Sequence, residues 1–307
     1  MGIDMKKWMI FSFLATIGCT VLALVFGSMA DSDLMKEYGQ RAAKIKFSDM
    51  PFQNVSVKLD AKEIERLTVK SRAINIKVEP SHDEFIHVDY SYSGLPTEGE
   101  LPQNRNGHEL TLDADEFMKN DGQWKIDMFQ SGANFNIQGE DARLTIKVPA
   151  RIQTVILKSI SGNLKAESMQ IKKLVADAVS GDVIIPSGQI EEIEVRTVSG
   201  NLKLEAAAKK IDAKSVSGNL KMTMQIADAG LNCETTSGDV VLKYEKEPNA
   251  MLSFKTMSGQ VRVSAAQRMK VEGELNDFKL GAGNGYINIK TISGDAKVQL
   301  DSENQEP

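Results

Sequence analysis

Imidazoles are scarce: His82, His87 and His108 are the only three. His87 and Asp89 share one face of an expected strand, and His82 stands in the preceding Pro-Ser-His-Asp turn. A structural or catalytic metal needs three or four ligands, so these read as exposed polar side chains and no metal is expected. A nucleophilic serine needs a base and a strained elbow. The recurring serines described below have neither, and no histidine lies among them. Asp177, Asp182, Glu234 and Asp239 invite comparison with glycoside hydrolysis, which wants two nearby carboxylates in a cleft. Arg196, Asn201, Lys214 and Asn219 stand between them, a pattern of surface charge alternation. Gly281-Ala-Gly-Asn-Gly285 leads into a strand-like Tyr286-Ile-Asn-Ile289, whereas a phosphate loop must open a helix. Gly283-Asn284-Gly285 is therefore read as a turn. Cys233 falls on an inward position as a small apolar filler, and Cys19 lies in an apolar run, so no intrachain disulfide is expected. No catalytic, cofactor-binding or metal-binding residue is assigned.

The basic residues form a more organised set. Lys165, Lys203, Lys221, Arg262 and Lys297 share one repeat offset, and Lys158, Arg196, Lys214, Lys255 and Lys290 share another. Stacked in register, they would form two interrupted cationic stripes. Such stripes could meet an anionic glycan, an envelope polymer or lipid headgroups; the alternative is solvated strand faces that resist edge aggregation.

These offsets follow from an internal repeat. Ser-Gly recurs at Ser161, Ser180, Ser199, Ser217, Ser237, Ser258 and Ser293, at intervals of 19, 19, 18, 20, 21 and 35, the last close to two repeats. Six positions before each serine lie Val155, Leu174, Ile193, Ile211, Leu231, Leu252 and Ile287; four before lie Leu157, Ala176, Val195, Ala213, Cys233, Phe254 and Ile289. Three positions after lie Leu164, Val183, Leu202, Leu220, Val240, Val261 and Ala296. This period-2 alternation on both sides of a Gly corner predicts two short strands per repeat. The residue after Gly is Asn, Asp or Gln, suited to a turn. A unit of this size cannot offset its own ordering entropy, so units must stack and share a core. The expected fold is all-β, a β-solenoid of about 19-residue two-strand repeats, seven or eight coils reaching roughly 35 Å. The column two before the serine (Ser159, Ala178, Thr197, Ser215, Thr235, Thr256, Thr291) should point inward as a stacked hydroxyl ladder, its hydroxyls bonding each other or the backbone. Upstream, Ile64 to Ser71 followed by Ile74 to Val78 looks like a degenerate coil. Further strands are expected at Phe85–Tyr92, His108–Leu112, Trp124–Phe129 and Ala142–Val148, with a loop at Gly94–Gly107.

Residues Trp8 to Ala30 carry no charge; as a helix they would reach about 34 Å, enough to span a bilayer. Lys6 and Lys7 precede them and Asp31 and Asp33 follow, which places the N-terminus in the cytoplasm and the remainder outside it. The segment reads as an uncleaved anchor, as a signal cut after Ser28-Met29-Ala30, or as a lipoprotein signal with a poor lipobox at Cys19. The expected organisation is a membrane or signal segment at 1–30 and a polar tether at 31–50. An irregular β region at 51–148 follows, then regular repeats at 149–300 and an acidic tail at 301–307. Across 307 residues, 37 Lys and Arg against 42 Asp and Glu give a net charge of -5, which argues against nucleic-acid binding.

Leu144-Thr-Ile-Lys-Val-Pro-Ala150, the following Thr/Ser-x-Ser-Gly-Asp/Asn repeats and the closing Gly283-Asn-Gly-Tyr-Ile-Asn-Ile-Lys-Thr-Ile-Ser-Gly-Asp295 resemble a bacterial family described as putative adhesins. It is a domain family of unknown function found on exported or membrane-anchored proteins, and the resemblance covers about residues 60–300. It implies a solenoid-like fold and an envelope location, and it carries no catalytic residues to transfer. The expected role is a non-enzymatic cell-envelope binding or scaffold surface. The alternatives are a polysaccharide-acting enzyme, or an envelope-stress sensor that binds another membrane protein.

Overall fold

The computed structural model describes residues 52–93, 103–114, 143–264 and 269–300. All of them belong to one compact unit. The apolar segment 8–30, the tether 31–50, the strand expected at Trp124–Phe129 and the tail 301–307 lie outside the described residues. No helix among the described residues is long and apolar enough to cross a membrane.

Among the described residues, twenty-one strands form one continuous hydrogen-bonded sheet that folds back on itself as two ladders. One ladder holds the longer strand of each repeat. Its spatial order is β5 (Gln103–Asn106), β6 (Glu109–Asp113), β2 (Arg66–Ser71), β8 (Thr154–Ser159), β10 (Met169–Ala178), β12 (Gly188–Ser199), β14 (Ala207–Ser217), β16 (Gly230–Ser237), β20 (Gly285–Ser293), β18 (Ala250–Ser264) and β19 (Met269–Leu280). The other ladder runs β1 (Phe52–Asp60), β4 (Phe85–Ser93), β7 (Arg143–Val148), β3 (Asn75–Pro80), β9 (Leu164–Ala166), β11 (Val183–Ile185), β13 (Leu202–Leu204), β15 (Leu220–Met224), β17 (Val240–Tyr244) and β21 (Ala296–Leu300), then the second half of β18, and ends on the first half of β19. Pairing is parallel from coil to coil and antiparallel only at the ends, where β1, β4, β5 and β19 close the stack.

The inward columns are as the alternation predicts. Val155, Leu174, Ile193, Ile211, Leu231, Leu252 and Ile287 are all buried, as are Leu164, Val183, Leu202, Leu220, Val240, Val261 and Ala296 across from them. They form one core shared by both ladders. Neighbouring coils keep strict register, so Leu174 pairs with Val155 on one side and Ile193 on the other.

The corner rests on two devices. The first is close approach. A Cβ on Gly200 would lie 2.1 Å from the Gly181 carbonyl oxygen, and one on Gly218 would lie 2.0 Å from that of Gly200. Only a residue without Cβ lets successive corners nest. The second is a chain of side-chain acceptors. The backbone amide of Asn163 donates to Asn75 Oδ1, Asp182 to Asn163, Asn201 to Asp182, Asn219 to Asn201, Asp239 to Asn219, Asp295 to Asp239 and Gln260 to Asp295, each at 2.8–3.0 Å. The Asn and Asp residues therefore bond the next coil rather than closing a local turn.

Three expectations need correction. The 35-residue interval before Ser293 holds no extra parallel coil. The antiparallel strand β19 fills it, and the final coil (β20, β21) is inserted between β16/β17 and β18. Leu231 consequently pairs with Ile287, not Leu252. The inward hydroxyl column is buried, apart from a half-buried Thr256, but it is not a ladder of mutual bonds. Ser71 and Ser159 accept from the backbone amides of Ile74 and Gly162, the backbone bonding expected, whereas Thr197, Ser215, Thr235 and Thr291 have no hydrogen-bond partner among the described residues. The nesting of the corners already pairs the nearby backbone groups across coils. Finally, β5 occupies part of the stretch read as loop, held as a hairpin with β6.

Candidate functional site: two outward columns

Register dictates which charged side chains meet. On the short-strand ladder one outward column reads Lys77, Lys165, Ile184, Lys203, Lys221, Val241, Lys297 and Arg262. All five residues of the predicted stripe, Lys165, Lys203, Lys221, Arg262 and Lys297, lie in it. Lys203 adjoins Lys221 and Lys297 adjoins Arg262, while Ile184 and Val241 interrupt the row.

The column is electrostatically divided. Lys77 Nζ lies 2.8 Å from both Glu79 and Glu167, Lys165 is paired with Glu167, and Lys203 with Glu205 at 3.0 Å. The lysine contacts, Lys165 first and then Lys77, hold the Glu167 carboxyl below the usual glutamate range. Lys221, Lys297 and Arg262 make no ion pair among the described residues. The signals missed in sequence are Lys77, at the same offset in the degenerate coil, and the glutamates two residues beyond Lys77, Lys165 and Lys203.

The long-strand ladder carries a different column: Asp113, Lys70, Lys158, Asp177, Arg196, Lys214, Glu234, Lys290, Lys255 and Glu274. Here acids alternate with pairs of cations. Arg196 bridges Asp177 at 3.2 Å, Glu234 lies 3.4 Å from Lys214 and 3.6 Å from Lys290, and Lys255 is 3.2 Å from Glu274. A parallel network links Lys173 to Glu192 and Glu194, and Glu192 to Lys210. Lys173 holds the Glu194 carboxyl low, and Lys210 does the same for Glu192. The acids that suggested alternating surface charge thus form its ion pairs; Asp182 and Asp239 instead belong to the corner acceptor chain.

A third row went unread. The residue just before the repeat serine is exposed and apolar in five of the seven repeats, at Ile160, Val179, Val198, Ile292 and Met257, and half-buried at Val216 and Thr236; these five are among the seven exposed large hydrophobics of the described residues. Aligning the position before Ser-Gly would have revealed it.

The remaining candidates hold no chemistry of their own. His87 Nε2 lies 2.8 Å from Asp83 Oδ1, a contact that pulls the Asp83 carboxyl well below its ordinary range, and His108 Nδ1 bonds the Glu63 carbonyl. No cluster of three metal-ligating side chains occurs among the described residues. Cys233 is fully buried, and burial pushes its thiol pKa up. A pocket of about 290 Å³ on the long-strand face is lined by Asn232, Asn288, Glu234, Glu274, Lys255 and Lys290 together with Phe254 and Ile289.

Comparison with known proteins places this architecture. In solved structures the chain is similar to a putative adhesin from Bacteroides fragilis, with 14% identity, 80% of this chain and 97% of that one covered, and a TM-score of 0.43. It is also similar to a putative cell adhesion protein from Clostridium sporogenes, with 12% identity, 82% and 100% covered, and a TM-score of 0.37. No curated protein matches the chain. Residues 64–299 match the family described as Toastrack DUF4097, a span from the degenerate first coil to the end of the inserted last one, and the chain belongs to that family.

Proposed function

We propose that this chain is a non-enzymatic binding and scaffold module of the bacterial cell envelope. Its domain is a β-solenoid presented outside the cytoplasm by the apolar segment 8–30, and the short-strand face binds an extended anionic polymer. The observation that carries the reading is the unneutralised end of the cationic column. Lys221, Lys297 and Arg262 stand in register within three coil intervals of about 4.8 Å each, and among the described residues none of them makes an ion pair with an acidic side chain. A polymer with regularly spaced phosphates or carboxylates can satisfy several such cations at once, each contact weak alone and additive along the chain. The uninterrupted strand backbone beneath keeps the cations fixed, which lowers the ordering cost of association.

The test is titration of the full chain, in a neutral detergent, with poly(glycerol phosphate). Binding that weakens steeply as salt rises supports the reading. Salt-insensitive binding, or none at low salt, overturns it. Fractionation of cells tests the location separately: recovery of the chain with cytoplasmic contents contradicts envelope display.

A further inference from the structure

We infer that the groove beside the first corners of the stack binds an anionic amphiphile, a single acyl-type tail carrying a phosphate or carboxylate head. The groove lies where the long strands bend into the corner and has a volume of about 610 Å³. One wall is the exposed aliphatic row Ile160, Val179 and Val198, exposed by 52%, 40% and 45%. These residues lie in register, because Ser180 N donates to Ile160 O and Ser199 N to Val179 O. The floor is made by Ser159, Ala178 and Thr197.

The opposite wall is charged. Lys70, Lys158, Asp177 and Arg196 line it, with Asp113 at its end and Arg72 beside Ile160. Asp177 is already bridged to Arg196 at 3.2 Å, and Arg72 and Asp113 have partners of their own. Lys70 and Lys158 do not. They are register neighbours on β2 and β8, and among the described residues neither makes an ion pair or a side-chain hydrogen bond. Two like charges about 4.8 Å apart on adjacent strands repel. An anion set between them relieves that repulsion, and a groove with one low-dielectric wall strengthens the attraction.

The apolar wall supplies the other half of the recognition. Exposed aliphatics aligned in one row mark an interaction surface rather than scattered surface residues. Ile160, Val179, Val198 and the half-buried Val216 span three coil intervals, about 14 Å, roughly the length of a dozen methylenes. A tail lying along the row buries these side chains while its head reaches Lys158 and Lys70 at the end where the row begins. The site is independent of the proposed polymer face, which lies on the other ladder.

The test uses the full chain in a neutral alkyl maltoside, with Cys19→Ser so that only an introduced thiol reacts; Cys233 is buried. Maleimide labelling of Val198→Cys is followed with dodecyl phosphate or inorganic phosphate added. Dodecyl phosphate should slow labelling several-fold, and inorganic phosphate should leave it unchanged. Lys70→Gln with Lys158→Gln should remove the protection, and Lys158→Arg should retain it. Equal protection at Met257→Cys, on the same row but distant from the lysine pair, would show general micelle adsorption and overturn the proposal. So would protection that survives the double lysine substitution.

Discussion

The two outward faces are built on the same coils, yet they treat charge in opposite ways. On the long strands every pair of cations is followed by an acid: Asp113, Asp177, Glu234 and Glu274 alternate with Lys70–Lys158, Arg196–Lys214 and Lys290–Lys255. On the short strands the corresponding interruptions are Ile184 and Val241. The backbone does not cause this difference, since both ladders are parallel and in register. What differs is the residue type at every third coil. An acid there lets a column neutralise most of itself; an aliphatic leaves the cations to look elsewhere. Glutamates at strand ends then offset Lys77, Lys165 and Lys203, so the excess charge concentrates at Lys221, Lys297 and Arg262.

Breaking the scaffold should erase both faces together. Gly218→Ala places a methyl group 2.0 Å from the Gly200 carbonyl oxygen. The corners must separate, at an expected cost of about 3 kcal/mol or more, seen as a lower melting temperature. Sharpening the contrast needs only one acid. Glu234→Gln leaves Lys214 and Lys290 without their partner and should give the long-strand face several-fold tighter binding to poly(glycerol phosphate). Stability should change by no more than about 1 kcal/mol, because the pairs are solvent-exposed.

A smaller effect concerns the corner both faces share. Thr235→Val replaces a buried hydroxyl that has no partner among the described residues. It should be neutral or stabilise by up to about 1 kcal/mol in chemical denaturation, since the desolvation cost disappears with the oxygen. The smallest is the pH response. Glu167, Glu192 and Glu194 have carboxyl pKa values held down by lysines. Their ion pairs contribute fully above the ordinary glutamate pKa of about 4.3, and the contribution is lost as pH falls through the depressed folded values. Acid titration should therefore lower the melting temperature slightly and gradually below about pH 4.

Much of this architecture was legible because β-strand periodicity is local. Leu202, Leu220 and Val240 had to face a core, and they do. The degenerate coil at Leu67–Ser71 and Ile74–Val78 was legible for the same reason. The order of the last coils was not. An interval of 35 residues resembles two repeats, and only the pairing of Leu231 with Ile287 shows that the final coil is inserted. The acceptor role of Asn163, Asp182 and Asn201 was equally hidden, because each bonds a backbone amide 18 or 19 residues away. The five basic residues of the stripe were found by their offset. Which of them are neutralised depends on glutamates at other offsets, and the exposed row at Ile160, Val179 and Val198 required a column that was left unaligned.

The decisive comparison is between two triple variants of the full chain binding poly(glycerol phosphate). Substitution of Lys221, Lys297 and Arg262 by Gln should abolish most of the affinity and flatten its salt dependence. The same change at Lys77, Lys165 and Lys203 should cost little, since their glutamates already hold them. Equal losses in the two variants, or a larger loss in the second, would contradict the view that register and local acids together select the binding cations.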